Sequence, residues 1–140
     1  MKAKFFFCKH CGNVVVKFVD SGVVPFCCGE EMVELKPNTT DGMVEKHLPV
    51  FELTDEGTLR VKVGSSAHPM SKEHHIAFLA VETERGGILH CLDPEGRPES
   101  DFCICCEKPV AVYAYCNLHG LWMTEFKEGT EAKKCCKCKC

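Results

Sequence analysis

Long apolar runs, helix-length amphipathic patterns and a strong net charge are all missing from this sequence of 140 residues. No stretch of about 18 apolar residues occurs, so the sequence offers no membrane-spanning helix. The formal net charge of −3 does not favour nucleic-acid binding. The segment from Met1 to Phe7 lacks the apolar core and the cleavage site of a signal peptide. We therefore expect a cytoplasmic protein with neither a membrane nor a nucleic acid as a partner.

Cysteine, in contrast, is unusually abundant, with 13 residues beside 7 histidines. The odd number of cysteines and the adjacent Cys-Cys pairs argue against a disulfide framework of the secreted kind. Reduced cysteines in a cytosolic protein more often bind metal. At 45% hydrophobic and 26% charged residues, the composition is that of a folded globular chain.

The pattern of apolar residues has a period of two, which predicts an all-β protein. Leu59, Val61 and Val63, for example, alternate with Arg60 and Lys62. Turn residues separate seven expected strands, near 47–54, 58–64, 75–83, 86–92, 100–106, 109–116 and 121–127. Seven short strands of this spacing predict an immunoglobulin-like antiparallel β-sandwich.

Changes in composition divide the chain into four parts. Residues 1–36 hold about three short strands and are too few to bury a core without a metal or a partner chain. Residues 37–43 are polar, contain proline and glycine, and predict a linker. Residues 44–128 form the expected sandwich, and residues 129–140 form a tail rich in cysteine and lysine.

A first cluster of cysteines lies in the segment 1–36. Cys8 and Cys11 form a C-x2-C pair, and fifteen residues separate them from the adjacent pair Cys27-Cys28. Four thiolates at this spacing can close a tetrahedral site for zinc or for iron. A zinc ribbon usually has C-x2-C in both halves, whereas the second pair here is contiguous. Gly12 and Gly29 follow the two pairs, where tight turns require a positive φ.

Histidines and a further cysteine occur in three islands of the second segment. The first island is Glu45-Lys46-His47-Leu48-Pro49, the second runs from His68-Pro69-Met70 to His74-His75, and the third is Cys116-Asn117-Leu118-His119-Gly120-Leu121-Trp122. Each alone is a weak signal, because single histidines on strands are usually structural. Four imidazoles and one thiolate suit iron better than a four-coordinate structural zinc, and would leave one octahedral position open.

Together these motifs make the sequence similar to the superoxide reductases of the two-iron desulfoferrodoxin family. The pattern of residues 3–36 resembles desulforedoxin, whose iron is held by a C-x2-C pair and a Cys-Cys pair. The three islands resemble, in order, those of the neelaredoxin-like domain that follows it. The family reaction is the one-electron reduction of superoxide to hydrogen peroxide.

The resemblance implies two irons per chain and the residues that bind them. One iron would be bound by Cys8, Cys11, Cys27 and Cys28, and the other by His47, His68, His74, Cys116 and His119. Lys46 would attract superoxide and hold a water as proton source, and Glu45 would bind the oxidised iron reversibly. A rubredoxin-like electron donor and a homodimer are further expectations. The homodimer is expected also because residues 1–36 are too few to bury all of their large apolar side chains within one chain. These side chains are Phe5, Phe7, Val15, Phe18 and Phe26.

Three alternatives stay open on the sequence. A zinc ribbon fused to an immunoglobulin-like domain would be a binding module without catalysis. A superoxide dismutase would use the same substrate, but an electron-rich thiolate-bound iron favours the reductase. A thiol–disulfide oxidoreductase would need a C-x-x-C motif in a βαβ pattern, which is missing. The family pattern does not require the remaining cysteines. Cys91 is expected to be structural, as is the neighbouring His90, and Cys103, Cys105 and Cys106 are expected to be buried. Four further cysteines are expected to form a reactive tail: Cys135, Cys136, Cys138 and Cys140.

Overall fold

The computed structural model describes residues 3–104 and 107–130 of the chain. These residues are almost entirely β, as predicted, and divide into two compact units, Met1–Lys36 and a second unit that begins at Pro37. The tail cysteines, together with Cys105 and Cys106, lie outside the described residues. No helix among the described residues is long and apolar enough to cross a membrane.

The first unit consists of five short strands. They are β1 (Lys4–Phe7), β2 (Val14–Lys17), β3 (Phe26–Cys27), β4 (Glu30–Glu31) and β5 (Val33–Leu35). A three-stranded antiparallel sheet has the order β2-β1-β5, and β3 pairs with β4 in a separate hairpin. The three strands expected here are confirmed, and the β3–β4 hairpin is an addition. It forms around Cys28 and Gly29, both of which have a positive φ.

The second unit contains one helical turn and seven strands. They are α1 (Val44–His47), β6 (Pro49–Leu53), β7 (Thr58–Val63), β8 (Ile76–Thr83), β9 (Gly86–Cys91), β10 (Glu99–Cys103), β11 (Pro109–Cys116) and β12 (Gly120–Glu125). One sheet has the order β10-β7-β6 and the other β12-β11-β8-β9, all antiparallel. The seven-stranded antiparallel architecture predicted from the alternation is confirmed.

The hydrophobic core of the second unit forms between these two sheets. Strand β7 buries Leu59, Val61 and Val63 and exposes Arg60 and Lys62, as the period of two predicts. The same cluster takes Ile76, Leu79 and Val81 from β8, Phe102 and Ile104 from β10 and its end, and Val112, Ala114 and Cys116 from β11. Strands β8 and β11 are buried along nearly their whole length, which matches their central position in the four-stranded sheet.

Three local expectations were wrong. His47, expected in a strand, ends the helical turn α1, because Lys46 N–H and Leu48 N–H donate to carbonyls at Met43 and Val44. Cys103, expected to be buried, is exposed near the end of β10. Phe5, expected to need a partner chain, is only 2% exposed within this chain. The expectation for His90 is confirmed: its ring packs on Phe102 at 4.3 Å.

Part of the expected linker, residues 37–43, is bound to the second unit. Asn38 donates from Nδ2 to the carbonyl of Met123 at 3.0 Å and accepts from the Met123 N–H at 2.8 Å. The Asn38 N–H also donates to the carbonyl of Leu121. Thr40 donates from its hydroxyl to the carbonyl of His119. Residues 38–40 therefore lie along β12.

Candidate metal centres

The topology brings the three islands of the second unit to one end of the sandwich. Strand β8 begins at Ile76, directly after the His74-His75 pair, and its neighbour β11 ends at Cys116, which pairs with Ile76. His119 lies in the turn from β11 to β12, whose ends Cys116 and Gly120 pair with each other. On the other sheet, Pro49 at the start of β6 pairs with Val63 at the end of β7. That pairing places His47, just before β6, and His68, just after β7, at a common edge.

Five side chains converge at this end, and we call them the histidine–cysteine cluster. Their potential ligand atoms all lie within 4.8 Å of one another, and they belong to His47, His68, His74, Cys116 and His119. His47, His68 and Cys116 are buried, and the other two are half-buried. His75 is outside the cluster, as expected, and its Nδ1 lies 3.0 Å from the carbonyl of Ser71.

Hydrogen bonds decide which imidazole nitrogen faces the cluster. His47 Nδ1 is 2.8 Å from the carbonyl of Met43, and His68 Nδ1 is 2.7 Å from that of Pro69. Because a carbonyl can only accept, both Nδ1 atoms carry the proton and both Nε2 atoms keep a lone pair. His119 is turned the other way, since its Nδ1 lies 3.0 Å from His47 Nε2 and 3.7 Å from Cys116 Sγ. The cluster thus presents Nε2 atoms and one Nδ1 atom together with a sulfur.

Two of these atoms require a partner from outside the protein. In the part of the chain that the structure describes, His68 Nε2 and His74 Nε2 are the buried side-chain nitrogen or oxygen atoms without a hydrogen bond. A buried polar atom without a partner is costly, and its cost is removed when a metal ion accepts the lone pair. The donor set of imidazoles and a thiolate suits iron. The residues present therefore fit a bound iron ion.

Burial also holds these imidazoles in the form that binds metal. It lowers the pKa of His68 to about 4, against a smaller raising effect from the hydrogen bond to Pro69. Burial likewise lowers the pKa of His47 and of His74, and the charge of Lys46 adds to both effects. Burial raises the pKa of Cys116, while the N–H groups of Leu118 and His119 oppose this by donating to its sulfur. The three rings with a lowered pKa are neutral at physiological pH, as ligation requires.

Glu45 and Lys46 lie on α1, immediately before His47. Glu45 is exposed and Lys46 is half-buried. The carbonyl of Glu45 accepts from the N–H of Ser66 at 3.0 Å and from the hydroxyl of Ser65 at 3.3 Å. The positive charge of Lys46 contributes to the lowered pKa of His47 and of His74, after the larger effect of burial.

Sequence reasoning missed two residues that shape this site. A Cβ on Gly64 would collide with the carbonyl oxygen of Ser66 in the same turn and would lie 2.8 Å from those of Glu45 and Lys46, so the turn after β7 packs directly against α1. Its φ of +81° is a second reason for glycine at this position. Trp122 stacks on His47 with ring centroids 4.9 Å apart, and its Nε1–H donates to the carbonyl of His119 at 3.0 Å. Trp122 is part of the third island but was given no role there, and Gly64 lies outside all three islands.

The first unit contains a second group of ligands, the four-cysteine cluster. It consists of Cys8, Cys11, Cys27 and Cys28, whose sulfur atoms also lie within 4.8 Å of one another. Gly12 and Gly29 both have a positive φ, which confirms the expected tight turns. The Cys11 and Cys27 sulfurs are 3.6 Å apart, and those of Cys27 and Cys28 are 3.9 Å apart.

The thiols of the four-cysteine cluster differ strongly in acidity. The N–H groups of Cys11 and His10 lower the pKa of Cys8 to about 6, against burial. The neighbouring thiols, Cys11 first, raise the pKa of Cys28 to about 12. The backbone therefore stabilises the Cys8 thiolate, while hydrogen bonds from neighbouring thiols raise the pKa of Cys27 and Cys28 and oppose their ionisation. A bound cation removes that opposition, and four sulfur donors suit zinc or iron.

Comparison with known proteins identifies the family. The family model described as Desulfoferrodoxin matches residues 39–125. A desulfoferrodoxin of Nitratidesulfovibrio vulgaris is 44% identical over 118 residues, which is 84% of this chain and 92% of that protein. A superoxide reductase of Pyrococcus horikoshii is 38% identical over 98 residues, covering 58% of this chain and 85% of that protein.

Solved structures agree with these sequence relationships. The crystal structure of the superoxide reductase from Treponema pallidum has a TM-score of 0.76 at 32% identity, covering 89% of this chain and all of that one. A superoxide reductase of Giardia intestinalis, described as 1Fe-SOR, has a TM-score of 0.50 at 27% identity, covering 59% of this chain and 98% of that one. The chain belongs to the desulfoferrodoxin family. Its histidine–cysteine and four-cysteine clusters match the two-iron content of that family.

Proposed function

We propose that this protein is a superoxide reductase that acts at the histidine–cysteine cluster. One superoxide takes up one electron and two protons and becomes one hydrogen peroxide. The observation that carries the proposal is the convergence of four imidazoles and one thiolate at one end of the sandwich, with two buried Nε2 atoms lacking a partner among the described residues. When bound there, iron supplies the one-electron chemistry. The names of the Pyrococcus and Treponema relatives support the same activity.

The five clustered side chains act as the iron ligands in this proposal. His47, His68 and His74 present Nε2, and His119 presents Nδ1. Cys116 contributes the thiolate, whose charge is moderated by the N–H of His119 at 3.4 Å from its sulfur. Such N–H donors tune the electron density that a thiolate provides. A separate iron would be held in the first unit by four sulfur ligands, those of Cys8, Cys11, Cys27 and Cys28.

Lys46 and Glu45 are the residues that we propose to act on the substrate and on the resting site. Residues 37–126 contain seven lysines and arginines against fourteen acids, so this segment repels anions overall. The Lys46 ammonium beside His47 and His74 provides a local attraction for superoxide and holds a water that delivers protons. Glu45, one residue earlier on the same turn, would serve as a reversible ligand of a bound, oxidised iron.

The stoichiometry of products tests the reductase against the dismutase alternative. The iron-loaded protein, reduced beforehand, is mixed with superoxide while hydrogen peroxide and oxygen are both measured. We expect one peroxide per superoxide consumed and no evolved oxygen. Oxygen released at half the amount of superoxide would identify a dismutase. A colourless purified protein that contains zinc would identify the non-catalytic binding module.

We further propose that residues 1–36 and 44–128 are separate domains joined by 37–43, followed by the tail 129–140. The division of the chain after Lys36 supports the first boundary. The hydrogen bonds of Asn38 and Thr40 to β12 and its turn indicate that the linker is partly fixed to the second domain. Limited proteolysis should cleave first near residue 37 and last within the sandwich.

A homodimer and a rubredoxin-like donor complete the proposal. Several apolar side chains of the first unit are exposed within one chain, namely Phe18, Val19, Val23 and Phe26. A second copy can cover such side chains in an isologous contact. Sedimentation equilibrium at micromolar concentration should give twice the mass of 15.6 kDa, and a monomer would reject the dimer. We place the protein in the cytoplasm, where its thiols stay reduced, and fractionation of cells tests that placement.

A further inference from the structure

Asn117 lies in the turn between Cys116 and His119 and joins this turn to the loop that carries His74. Its side-chain Oδ1 accepts from the N–H of His75 at 2.9 Å. Its Nδ2 donates to the carbonyl of Glu73, also at 2.9 Å. Its own backbone N–H donates to the carbonyl of His75 at 3.1 Å. The partners of Asn117 thus lie one residue before and one residue after His74.

These bonds occur where the regular strand pairing ends. Strands β8 and β11 pair up to Ile76 and Cys116, with a register shift between Tyr115 and Cys116. Beyond that point the ladder no longer fixes the loop against the turn. The three bonds of Asn117 continue the connection past the end of the sheet, so His74 cannot shift along the turn unless at least one of them breaks.

His74 depends on its backbone more than the other histidines do. The rings of His47 and His68 are each held by a carbonyl at Nδ1, and His119 Nδ1 faces His47 Nε2. Among the described residues, the ring of His74 has no such hydrogen bond, and its Nε2 is buried without a partner. Its loop is closed locally, because Ser71 N–H donates to the His74 carbonyl at 2.9 Å and His74 N–H donates to the Ser71 hydroxyl at 3.1 Å. The loop is thus closed on itself, and the bonds of Asn117 join it to the turn that carries Cys116 and His119.

We propose that Asn117 is a positioning residue for the histidine–cysteine centre. It holds His74 at a fixed distance from Cys116 and His119 by bonding the backbone on both sides of His74. These backbone bonds fix the position of His74, whereas His47 and His68 are fixed by a hydrogen bond to the ring itself. This inference rests on the proposed function only in that His74 is taken as a metal ligand.

The test compares iron release from full-length, iron-loaded variants. Asn117→Leu keeps the approximate volume of the side chain and removes both of its hydrogen bonds. Asn117→Asp keeps the Oδ1 acceptor for His75 and removes the donor to Glu73. Loss of a residue that orients a ligand typically lowers metal affinity by about 10- to 100-fold. We therefore expect release to a chelator to be at least about 10-fold faster in Asn117→Leu, with Asn117→Asp between it and the wild type.

Two controls belong to the same experiment. The four-cysteine centre of each molecule is an internal reference, and its absorbance and rate of release should not change. Glu73→Gln alters a side chain in the same loop but keeps the Glu73 carbonyl, so its release should equal that of the wild type. Fluorescence of Trp122, the only tryptophan, reports whether each variant folds. If Asn117→Leu does not fold, the proposal is tested by Asn117→Asp. Its iron release should be faster than that of Glu73→Gln, and equal rates would overturn the proposal.

Hydrogen exchange at the amide of His75 gives a readout that does not involve activity. Protection should be lost in Asn117→Leu and kept in Asn117→Asp, because only the latter retains the acceptor. Wild-type protection in Asn117→Leu would overturn the proposal, and so would wild-type iron release despite lost protection. If the wild-type protein binds iron but does not reduce superoxide, the proposed function fails while the positioning role is still measured.

Discussion

The four-cysteine and histidine–cysteine clusters differ in how much folded protein surrounds them. In the first unit, one small buried cluster among the described residues consists of Phe6, Cys8 and Met32, and one of these three is itself a potential ligand. In the second unit, the cluster lies at the end of a core to which β7, β8, β10 and β11 all contribute. Because apolar burial is the main source of stability, we expect the first unit to depend on a bound metal for folding, whereas the second has a core of its own.

The two clusters also differ in how far apart their ligands are along the chain. The ligands of the four-cysteine cluster come from two tight turns, each with a positive-φ glycine directly after it. The ligands of the histidine–cysteine cluster come from the end of α1, the loop between β7 and β8, the end of β11 and the β11–β12 turn. A local motif can be recognised from spacing alone, whereas the second site exists only once both sheets have formed. The following predictions test this contrast, in order of decreasing effect.

Cys27→Ser should have the largest effect, and it should be confined to the first unit. Loss of one sulfur ligand removes the metal that the small core requires, so the absorbance of the first centre disappears and this unit loses its fixed structure. The second centre and most of the reductase activity should remain, as measured by iron content and superoxide consumption. Cys91→Ser, which removes an exposed cysteine outside both clusters, is the control. Loss of both irons in Cys27→Ser would show that the units are not independent.

Gly64→Ala should weaken the second centre and leave the first intact. The left-handed backbone alone costs a non-glycine residue about 1–2 kcal/mol, and the new Cβ would also collide with the carbonyls of α1. Urea unfolding followed by Trp122 fluorescence should show a loss of at least this size, together with weaker iron binding at the histidine–cysteine centre. Gly129→Ala has a similar φ of +85° but open space around its Cβ, so it isolates the backbone cost. Equal effects of the two substitutions would contradict a specific role for Gly64.

Lys46→Ala should slow the reaction with superoxide without releasing iron. Removal of one steering charge beside the cluster should lower the rate by about 10-fold at low ionic strength. The difference should shrink in 1 M salt, where the Debye length is about 3 Å. Arg85→Ala removes the same charge beyond the far end of β8 and should have a smaller effect. A wild-type rate for Lys46→Ala at low salt would exclude the steering role.

Deletion of residues 130–140 should have the smallest effect of all. The two ligand sets found among the described residues lie between Cys8 and Cys28 and between His47 and His119. Both iron spectra and the rate with superoxide should be unchanged, and the number of titratable thiols should fall by four. Loss of turnover with the physiological donor, while the irons stay bound, would show instead that the tail binds the donor.

The alternation of apolar residues was enough to predict the all-β class and the seven strands, and the family resemblance named the two groups of side chains that the structure brings together. These features depend on local pattern: alternation of apolar residues reports which face of a strand is buried, and short spacing between ligands reports a tight turn. The helical turn at Val44–His47 was missed because its four residues are too few to give a helical period. Phe5 was wrongly expected to need a partner, because its burial depends on contacts that no local pattern records.

Only the tertiary structure decided how the second site is built. Which nitrogen of each histidine faces the cluster depends on carbonyls such as those of Met43 and Pro69, and carbonyls are the same in every residue type. The contact of Gly64 with α1 and the bonds of Asn117 around His74 join segments far apart in the chain. The spacing of residues along a sequence carries no information on such contacts, because they form only when the two sheets pack and bring their ends together.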